Sequence, residues 1–238
     1  MTKRQDDYYD TEAEVYSQKR YPERPANYIQ FLFTRRRALV LSLVERVISA
    51  TAAPRSLFEM GCADGVLLRA IDERYPGAFA GMLGSDVSRP MIEEGARLTG
   101  NPSIRFAMRD EVLSPGDFTL AMEVGVGAIV IDTPGELALL ASKLAQSGYL
   151  ICSIAGRDSV AARWGSTAAD RAQLKAYREY EKEMRKLFVE EAVRSCGIYV
   201  PLLWRVPALG RLLQPVFEIA GVLFPELAHE RVYLLKKK

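Results

Sequence analysis

The feature that most constrains the fold is an alternation of short apolar runs with longer amphipathic stretches between Ser56 and Ala155. The apolar runs have the length of strands, and the stretches between them have apolar residues at helical spacing. Strands separated by helices form βαβ units, so we expect a doubly wound α/β fold, with a parallel sheet and helices on both faces. The predicted elements are strand Ser56–Met60, helix Asp64–Tyr75, strand Ala78–Asp86, helix Arg89–Leu98, strand Ser103–Met108, strand Phe118–Val124, helix Pro134–Gln146 and strand Tyr149–Ala155.

The segments on either side of this core predict further elements. After a polar, tyrosine-rich start, apolar residues recur at helical spacing over Ala26–Ala50. The stretch Ala168–Cys196 is charged and predicts a helix with a solvated face. Two terminal strands, Gly197–Trp204 and Glu230–Leu235, are predicted at one edge of the sheet, on either side of an apolar helix at Ala208–Phe224.

The composition disfavours several classes of protein. The 238 residues are 49% hydrophobic and 26% charged, which suits one folded domain over 1–238. A net charge of +2 gives no strongly basic surface for nucleic acid. The start of the chain lacks the apolar run of a signal peptide, no stretch reaches the ~20 apolar residues of a membrane span, and the three cysteines are far apart, so we expect a cytoplasmic protein. With one histidine and no Cys-x-x-Cys, the chain lacks the ligand sets that hold zinc, and no metal site is predicted; a magnesium site made of carboxylates alone stays open.

Glycines and acids mark one end of the predicted strands. The stretch Glu59–Gly65 places two glycines between a strand and a helix, where the backbone turns sharply and a ligand can approach. The next two strands also end in acids, so we expect Glu59, Asp86 and Asp110 to meet at one edge of a parallel sheet. The position of Asp86 suits hydrogen bonds from both ribose hydroxyls of a nucleoside. The alternative is that Asp86 caps the helix that begins near Arg89.

On these stretches the chain resembles the class I S-adenosylmethionine-dependent methyltransferases, especially those that act on small molecules. The resemblance covers about residues 55–155 and is carried by Leu57–Gly65, Gly84–Met91, Arg109–Glu111 and Phe118–Gly125. It implies a Rossmann-like seven-stranded sheet, mostly parallel with an antiparallel last strand. It also implies an N-terminal helical lid and a helical insertion near the C-terminus.

The resemblance implies S-adenosyl-L-methionine as the cofactor. The glycine turn would embrace its methionine part with Glu59 beneath, and Asp86 would hold the ribose. Val87 and Met91 would lie near the adenine, with Asp110 at the adenine amino group. The segments Tyr8–Asp10 and Ala13–Tyr16 resemble the lid. The predicted cofactor-binding residues are Tyr16, Glu59, Gly61, Cys62, Ala63, Asp64, Gly65, Asp86, Val87, Met91, Arg109, Asp110 and Glu111.

Two residues are candidates for a general base. Methyl transfer from a sulfonium is an in-line displacement that depends on alignment and exclusion of water, and a base helps when the acceptor is a hydroxyl or a protonated amine. His229, the only histidine, precedes the expected antiparallel strand and is the first candidate; the alternative is an ordinary loop histidine. Glu123, at the end of the fourth strand, is the second, and its alternatives are to hold the cofactor or to cap the turn at Gly125.

The acceptor side is less defined. The apolar stretch 202–224, with Arg205 and Arg211 beside it, predicts a pocket roof or a peripheral membrane contact, and core packing is the alternative. Membrane contact would favour a lipid-like or lipid-linked small-molecule acceptor. In this interpretation residues 1–52 form the lid, 53–156 the cofactor-binding core and 157–238 the acceptor side. The oligomeric state stays open.

Two other functions fit parts of the pattern. An NAD-dependent oxidoreductase shares the glycine turn and the acid after the second strand, but Ala63 interrupts the glycine fingerprint. The one Tyr-x-x-x-Lys pair, Tyr233 and Lys237, lies in the tail, where no catalytic helix can form. A cofactor-binding module without catalysis is consistent with the same motif.

Overall fold

One seven-stranded sheet organises the chain. The computed structural model describes residues 10–126, 133–165, 174–200 and 203–238. The strands are β1 Ser56–Met60, β2 Gly81–Asp86, β3 Ile104–Met108, β4 Phe118–Glu123, β5 Leu144–Ala155, β6 Phe188–Ser195 and β7 Glu230–Lys237. The helices are α1 Tyr16–Arg20, α2 Tyr28–Ala50, α3 Val66–Arg74, α4 Arg89–Leu98, α5 Thr133–Lys143, α6 Val160–Gly165, α7 Tyr177–Leu187 and α8 Pro207–Leu223.

The strand order is β3-β2-β1-β4-β5-β7-β6. Strands β1 to β5 are parallel, and β7 lies antiparallel between β5 and β6. The order reverses where β1 lies beside β4, and open α/β sheets bind ligands at the carboxyl ends of the strands at such a switch point. The predicted Rossmann-like sheet with an antiparallel last strand is therefore confirmed.

Helices cover both faces of this sheet. Successive strand residues point to opposite faces, so Leu57 joins the core cluster under α2 and α3, whereas Phe58 joins the cluster under α5 and α7. Helix α2 begins where the Asn27 side chain accepts a hydrogen bond from the Gln30 amide at 3.0 Å, and it buries one apolar stripe. The predicted helix Ala26–Ala50 is thus confirmed, with its first turn at Tyr28.

Two predicted elements in the second half are wrong. The charged helix predicted over Ala168–Cys196 is shorter, because α7 ends at Leu187 and Phe188–Ser195 is strand β6; the part before residue 174 lies outside the described residues. The cause is pairing, since β6 runs along β7 from Phe188 opposite Lys237 to Ser195 opposite Arg231. These ladder bonds outweigh the helix propensity of the Glu, Ala and Arg residues in the segment.

The strand predicted at Gly197–Trp204 is also absent from its described part. Residues 197–200 have no regular structure, and a short 3-10 helix begins at Leu203. The predicted arrangement of two edge strands around an apolar helix holds nonetheless, because β6 takes the place of the first strand and α8 lies between β6 and β7. Helix α5 likewise ends earlier than predicted, at Lys143, because β5 begins at Leu144.

Within the described ranges, no helix combines the length and the apolarity that a membrane crossing needs. The predicted apolar helix at Ala208–Phe224 corresponds to α8, which ends at Leu223.

Candidate active site

The glycine turn between β1 and α3 holds three residues in left-handed backbone conformations. Gly61 and Gly65 have φ of +70° and +74°. A Cβ on Gly61 would lie 2.3 Å from the Val126 side chain, and a Cβ on Gly65 would lie 2.6 Å from the Phe106 ring. Glycine suits both positions because it adopts a positive φ readily and has no Cβ to collide with these neighbours. Ala63 adopts φ of +48° despite its side chain, at a cost of about 1–2 kcal/mol.

Asp86, at the end of β2, ties this turn to the neighbouring strand. Its Oδ2 accepts a hydrogen bond from the Ala63 amide at 2.9 Å, and its Oδ1 accepts one from the Ser88 amide at 3.0 Å. Burial raises the pKa of Asp86 above its usual range, and the two amide bonds oppose that shift. The cap of α4 is Ser88, whose hydroxyl accepts from the Met91 amide, so the helix cap does not account for Asp86.

A cavity of about 190 Å³ opens beside Asp86. It lies at the carboxyl edge of the sheet, between the glycine turn, the end of β2 and the residues after β4. Seven of the thirteen predicted cofactor-binding residues line it: Tyr16, Gly61, Ala63, Asp86, Val87, Met91 and Arg109. The other lining residues are Arg20, Phe33, Arg36, Val124, Gly125 and Val126.

Four more predicted residues form the turn and its support behind this cavity. Glu59 is buried, its Oε2 has no hydrogen-bond partner, and its pKa is raised well above the usual range by burial and by the nearby Asp86 and Asp64 carboxylates. Asp64 is also buried, accepts a hydrogen bond from the Ser17 hydroxyl and lies 3.6 Å from the Arg69 guanidinium. The other two are Cys62, which is buried, and Gly65, which closes the turn.

The two acids after β3 do not line the cavity. Asp110 and Glu111 lie exposed in a short 3-10 helix, Arg109–Val112. The Glu111 carboxylate accepts a hydrogen bond from the Met108 amide at 3.1 Å, so it caps this turn. Their neighbour Arg109 does reach the cavity and forms an ion pair with Glu136.

The described part of the predicted lid lies over the cofactor side; Tyr8 and Tyr9 lie outside the described residues. Several hydrogen bonds fasten it. Asp10 accepts from the Ser88 hydroxyl at 2.5 Å, and Ser17 donates to Asp64. The Tyr16 ring lies against the cavity, with the Arg20 guanidinium 5.3 Å from its centroid. The segment is therefore closed on the residues that build the glycine turn.

A second, larger cavity of about 620 Å³ lies beyond α2. Aromatic side chains dominate one wall, where the Tyr28 ring is 4.6 Å from Tyr199 and is stacked on His229 at 5.4 Å, centroid to centroid. Trp204 and Arg205 line the same cavity near α8. Its remaining lining residues are Asn27, Ile29, Ala155, Ser159, Ala161, Ala162, Leu174 and Val200.

His229 lies in this second cavity, half-buried, as the residue before β7. Its Nδ1 is 3.2 Å from the Tyr28 hydroxyl, and burial lowers its pKa to about 4, so the ring is neutral at pH 7. Two tautomers satisfy this bond. Only the one in which Nδ1–H donates to the tyrosine leaves Nε2 able to accept a proton.

A buried ion pair links helix α2 to the first residue of β7. Both oxygens of Glu230 lie 3.2 Å from Nη1 of Arg36, and both side chains are at most 7% exposed. Arg36 lines the smaller cavity, whereas His229, the neighbour of Glu230, lines the larger. The ion pair therefore holds a residue of the smaller cavity against the start of β7, next to a residue of the larger cavity.

Glu123, the second candidate base, lines neither of these cavities. It is buried under α5 among residues that include Glu136, Leu137 and Cys152. Burial and the adjacent Glu136 carboxyl raise the pKa of Glu123 to about 8, so the pair retains a proton near neutral pH. The Glu123 carboxyl lies on the face of the sheet that α5 covers, and its Oε1 has no hydrogen-bond partner among the described residues.

The fold and this edge geometry were compared with known proteins. No family model matches the chain, and no curated protein matches it in sequence. Solved structures do match. The N-methyltransferase NodS from Bradyrhizobium japonicum, in complex with S-adenosyl-L-homocysteine, has 14% identity and a TM-score of 0.63, covering 98% of this chain and 97% of its own. The chain has the class I methyltransferase fold.

Two further matches extend over nearly the whole chain. Magnesium protoporphyrin IX methyltransferase from Synechocystis, with bound S-adenosyl-L-homocysteine, has 16% identity and a TM-score of 0.64, covering 98% of this chain and 97% of its own. Phosphoethanolamine N-methyltransferase 2 from Haemonchus contortus, in complex with S-adenosyl-L-methionine, has 14% identity and a TM-score of 0.65; the match covers 98% of this chain and 58% of that one.

Three of the six lining residues that were not predicted as cofactor-binding come from helices α1 and α2: Arg20, Phe33 and Arg36. The Arg36 guanidinium stacks 4.3 Å over the Phe33 ring. Burial alone would lower the pKa of Arg36, but the Glu230 carboxylate raises it above its usual value. A signal was present, because Arg36 falls on the buried stripe of α2, four residues after Leu32 and three before Leu39. A charged residue in such a stripe needs a partner.

Proposed function

We propose that the chain is an S-adenosyl-L-methionine-dependent methyltransferase that acts on a small-molecule, lipid-like or lipid-linked acceptor. The observation that carries this proposal is the cavity at the switch point of the sheet, where Asp86 and the glycine turn lie under a closed lid. S-adenosyl-L-methionine would occupy this cavity, and the acceptor would occupy the larger, aromatic one. The enzymes of similar fold named above are methyltransferases, which supports the choice.

Polar groups around the smaller cavity suit the amino-acid end of this cofactor. Oε2 of Glu59 and Oδ1 of Asp64 are buried without a hydrogen-bond partner, and so is Nε of Arg36. Buried polar atoms without partners are rare in folded proteins and indicate a missing ligand or water. Carboxylates suit an ammonium group and a guanidinium suits a carboxylate. Asp86 would hold the ribose, with Val87 and Met91 beside the adenine.

The lid would have to move for the cofactor to bind. The cavity of about 190 Å³ is smaller than the roughly 300–1,000 Å³ of common ligand pockets, because Tyr16 and Arg20 lie against it. The hydrogen bonds that hold the lid in place include those from Ser88 to Asp10, from Ser17 to Asp64 and from Arg69 to Ser17. We propose that the segment around Tyr16 opens to admit the cofactor and then excludes water from the reacting atoms.

The cofactor, when bound, supplies a methyl group activated by its sulfonium charge. The protein's residues would align the acceptor and exclude water, and alignment alone is a large part of the catalysis of such displacements. His229 would accept a proton at Nε2 from a hydroxyl or ammonium acceptor. With a pKa of about 4 it is a weak base that stays neutral at physiological pH, so we expect its contribution to be at the lower end of the usual range for a general base.

The acceptor cavity favours a molecule with an apolar or planar body. Tyr28, Tyr199 and Trp204 offer ring faces, and Arg205 offers a cation at the rim. Aromatic rings bind flat or aliphatic groups through dispersion and the hydrophobic effect, and arginine binds phosphate or carboxylate. An amphiphile with an anionic group suits both the aromatic rings and the arginine.

We also propose a cytoplasmic location, which the three buried, free cysteines support.

Titration calorimetry with S-adenosyl-L-homocysteine and with NAD, run on the same protein, tests the cofactor. We expect micromolar binding of S-adenosyl-L-homocysteine and no binding of NAD; the reverse result would favour an oxidoreductase.

Transfer of a labelled methyl group from S-adenosyl-L-methionine to an organic extract of cell lysate then tests the acceptor class. Binding of S-adenosyl-L-homocysteine without any transfer to organic or aqueous fractions would favour a non-catalytic module.

A further inference from the structure

Helix α8 exposes an apolar face. The large apolar residues of this face are each at least 37% exposed, and Leu212 reaches 72%. They recur at helical spacing along the outward side of the helix and continue past both of its ends. They are Val206, Leu209, Leu212, Leu213, Val216, Ile219, Val222, Leu223 and Phe224. Monomeric proteins rarely leave a contiguous apolar surface of this kind open to water.

The inward side of α8 is small or polar, the reverse of an ordinary surface helix. A Cβ on Gly210 would lie 2.5 Å from the Trp204 ring, and one on Gly221 would lie 3.0 Å from the Gly197 backbone. Gln214 is fully buried; its Oε1 accepts a hydrogen bond from Trp204 Nε1 and its Nε2 donates one to the Ile198 carbonyl, both at 3.0 Å. These contacts fix the rotation of the helix, so it cannot turn its apolar side into the protein.

The charged side chains of α8 bond at the borders of the exposed apolar face and do not lie on it. Helix α8 has two ionisable residues. Arg211 donates to the Pro25 carbonyl at 3.0 Å, and Glu218 forms an ion pair with Arg35 at 3.0 Å. Among the described residues, the exposed large apolar side chains of this face are therefore all aliphatic except Phe224. Such a surface offers no hydrogen bonds, whereas a typical protein interface carries about ten and is enriched in aromatic residues.

Cations gather at the end of α8 that borders the larger cavity. Arg205 and Arg211 are both exposed, and no acid occurs between Glu191 and Glu218 in the sequence. The exposed acid Glu226 lies beyond the other end. An apolar face with arginines at one rim matches the interface of an anionic bilayer. The aliphatic side chains can insert among the acyl chains, and the arginines can bind the lipid phosphates.

We propose that α8 docks flat on an anionic phospholipid bilayer. Trp204 and Arg205 line the larger cavity and lead directly into α8, so docking brings the mouth of that cavity to the lipid surface. An acceptor dissolved in the bilayer then enters the cavity without crossing water. This last step rests on the proposed function, whereas docking itself does not.

Flotation of the full chain with vesicles tests docking without cofactor or turnover. The probes are vesicles of phosphatidylcholine with one quarter phosphatidylglycerol, and vesicles of phosphatidylcholine alone. We expect binding to the anionic vesicles that 0.5 M NaCl weakens, and weaker binding to the neutral ones. The triple variant Leu212→Gln, Val216→Gln, Ile219→Gln should lose at least about 10-fold in affinity, because three apolar side chains no longer enter the bilayer.

A matched control separates this face from general hydrophobicity. Leu98, Leu113 and Val189 are also exposed but lie on other elements. Their replacement by Gln in a second triple variant should leave vesicle binding within about 2-fold, since no docking contact is removed. Both variants should keep the wild-type melting temperature and the wild-type affinity for S-adenosyl-L-homocysteine.

Two results would overturn docking. One is equal vesicle binding by the wild type and the α8 variant. The other is a wild-type dimer in light scattering that the α8 variant converts to a monomer, with no vesicle binding, which would make a second copy of the chain the occupant. Failure to bind S-adenosyl-L-homocysteine would refute the proposed function but leave docking intact.

Discussion

The two cavities are built in different ways. The smaller one is shaped by backbone, with left-handed turns at Gly61 and Gly65 and a carboxylate that accepts hydrogen bonds from two backbone amides. The larger one is shaped by side chains, mainly Tyr28, Tyr199 and Trp204. Backbone demands restrict the allowed residue types and so leave a pattern in the sequence, whereas an aromatic wall can be built from many sequences. This is why the cofactor was easier to infer than the acceptor.

The largest effect is expected at the buried ion pair between Arg36 and Glu230. Glu230→Gln leaves the Arg36 guanidinium buried and charged without its carboxylate, which typically costs about 3–5 kcal/mol, or roughly 10 °C in melting temperature for a chain of this size. Circular dichroism melts at pH 7 measure this. Arg36→Met with Glu230→Leu removes both charges at similar volume and should recover most of the loss. A Glu230→Gln variant with the melting temperature of the wild type would show that the ion pair does not stabilise the fold.

The second prediction concerns the acceptor side alone. Burial lowers the pKa of His229 to about 4 from its usual value near 6.5, so the unfolded chain binds a proton at a higher pH than the folded one. Stability is therefore lost as pH falls from 6.5 towards 4, by up to roughly 3 kcal/mol.

His229→Gln should remove this part of the acid sensitivity in melts between pH 7 and pH 4.5. Tyr28→Phe, which keeps the histidine, should retain it. Equal pH slopes for the wild type and His229→Gln would contradict the burial of the ring.

The third prediction concerns the cofactor side. Asp86→Asn should weaken binding of S-adenosyl-L-homocysteine by about 10-fold to 100-fold, because a hydrogen bond to a charged group contributes about 1.5–3 kcal/mol. Calorimetry gives the affinity. Asp110→Asn is the matched control, and we expect a smaller change because Asp110 is exposed and does not line the cavity. A larger loss from Asp110→Asn would show that the cofactor lies closer to β3 than we propose.

The smallest effect is expected at Ala63. Glycine there would relieve a left-handed conformation but would add freedom to the unfolded chain, so Ala63→Gly should stabilise the protein by about 0.5–1 kcal/mol. Chemical denaturation measures this. Ala80→Gly, on the surface at an ordinary φ, should instead destabilise by a similar amount. Equal changes in the free energy of unfolding for both variants would show that the backbone at Ala63 is not strained.

The sequence predicted the sheet because its strands repeat one simple pattern. The core of β1 to β5 follows from apolar runs between helices, and the antiparallel β7 followed from the family resemblance. Strand β6 was missed because its charged residues look helical until β7 pairs with them. Pairing between distant segments is not encoded in local periodicity.

The site was predictable to the extent that backbone geometry required particular residues. Gly61, Gly65 and Asp86 belong to that class. Arg36 was missed because its partner, Glu230, lies far along the chain, although its place in an apolar stripe was a usable signal. Glu123 was placed correctly at the end of β4, but sequence alone could not show that its carboxyl lies under α5 beside Glu136.

The hydrogen bonds that hold the lid bear on which step limits the rate of turnover. Asp10 and Ser17 bond to Ser88 and Asp64, at the starts of the helices that follow β2 and β1, so under the proposed function a spent cofactor would leave only after these bonds break. We therefore expect release of the by-product to be the rate-limiting step in the steady state. Rapid mixing with a methyl donor and a competent acceptor should then show a first burst of product close to one equivalent per enzyme, and a linear time course from the start would refute this.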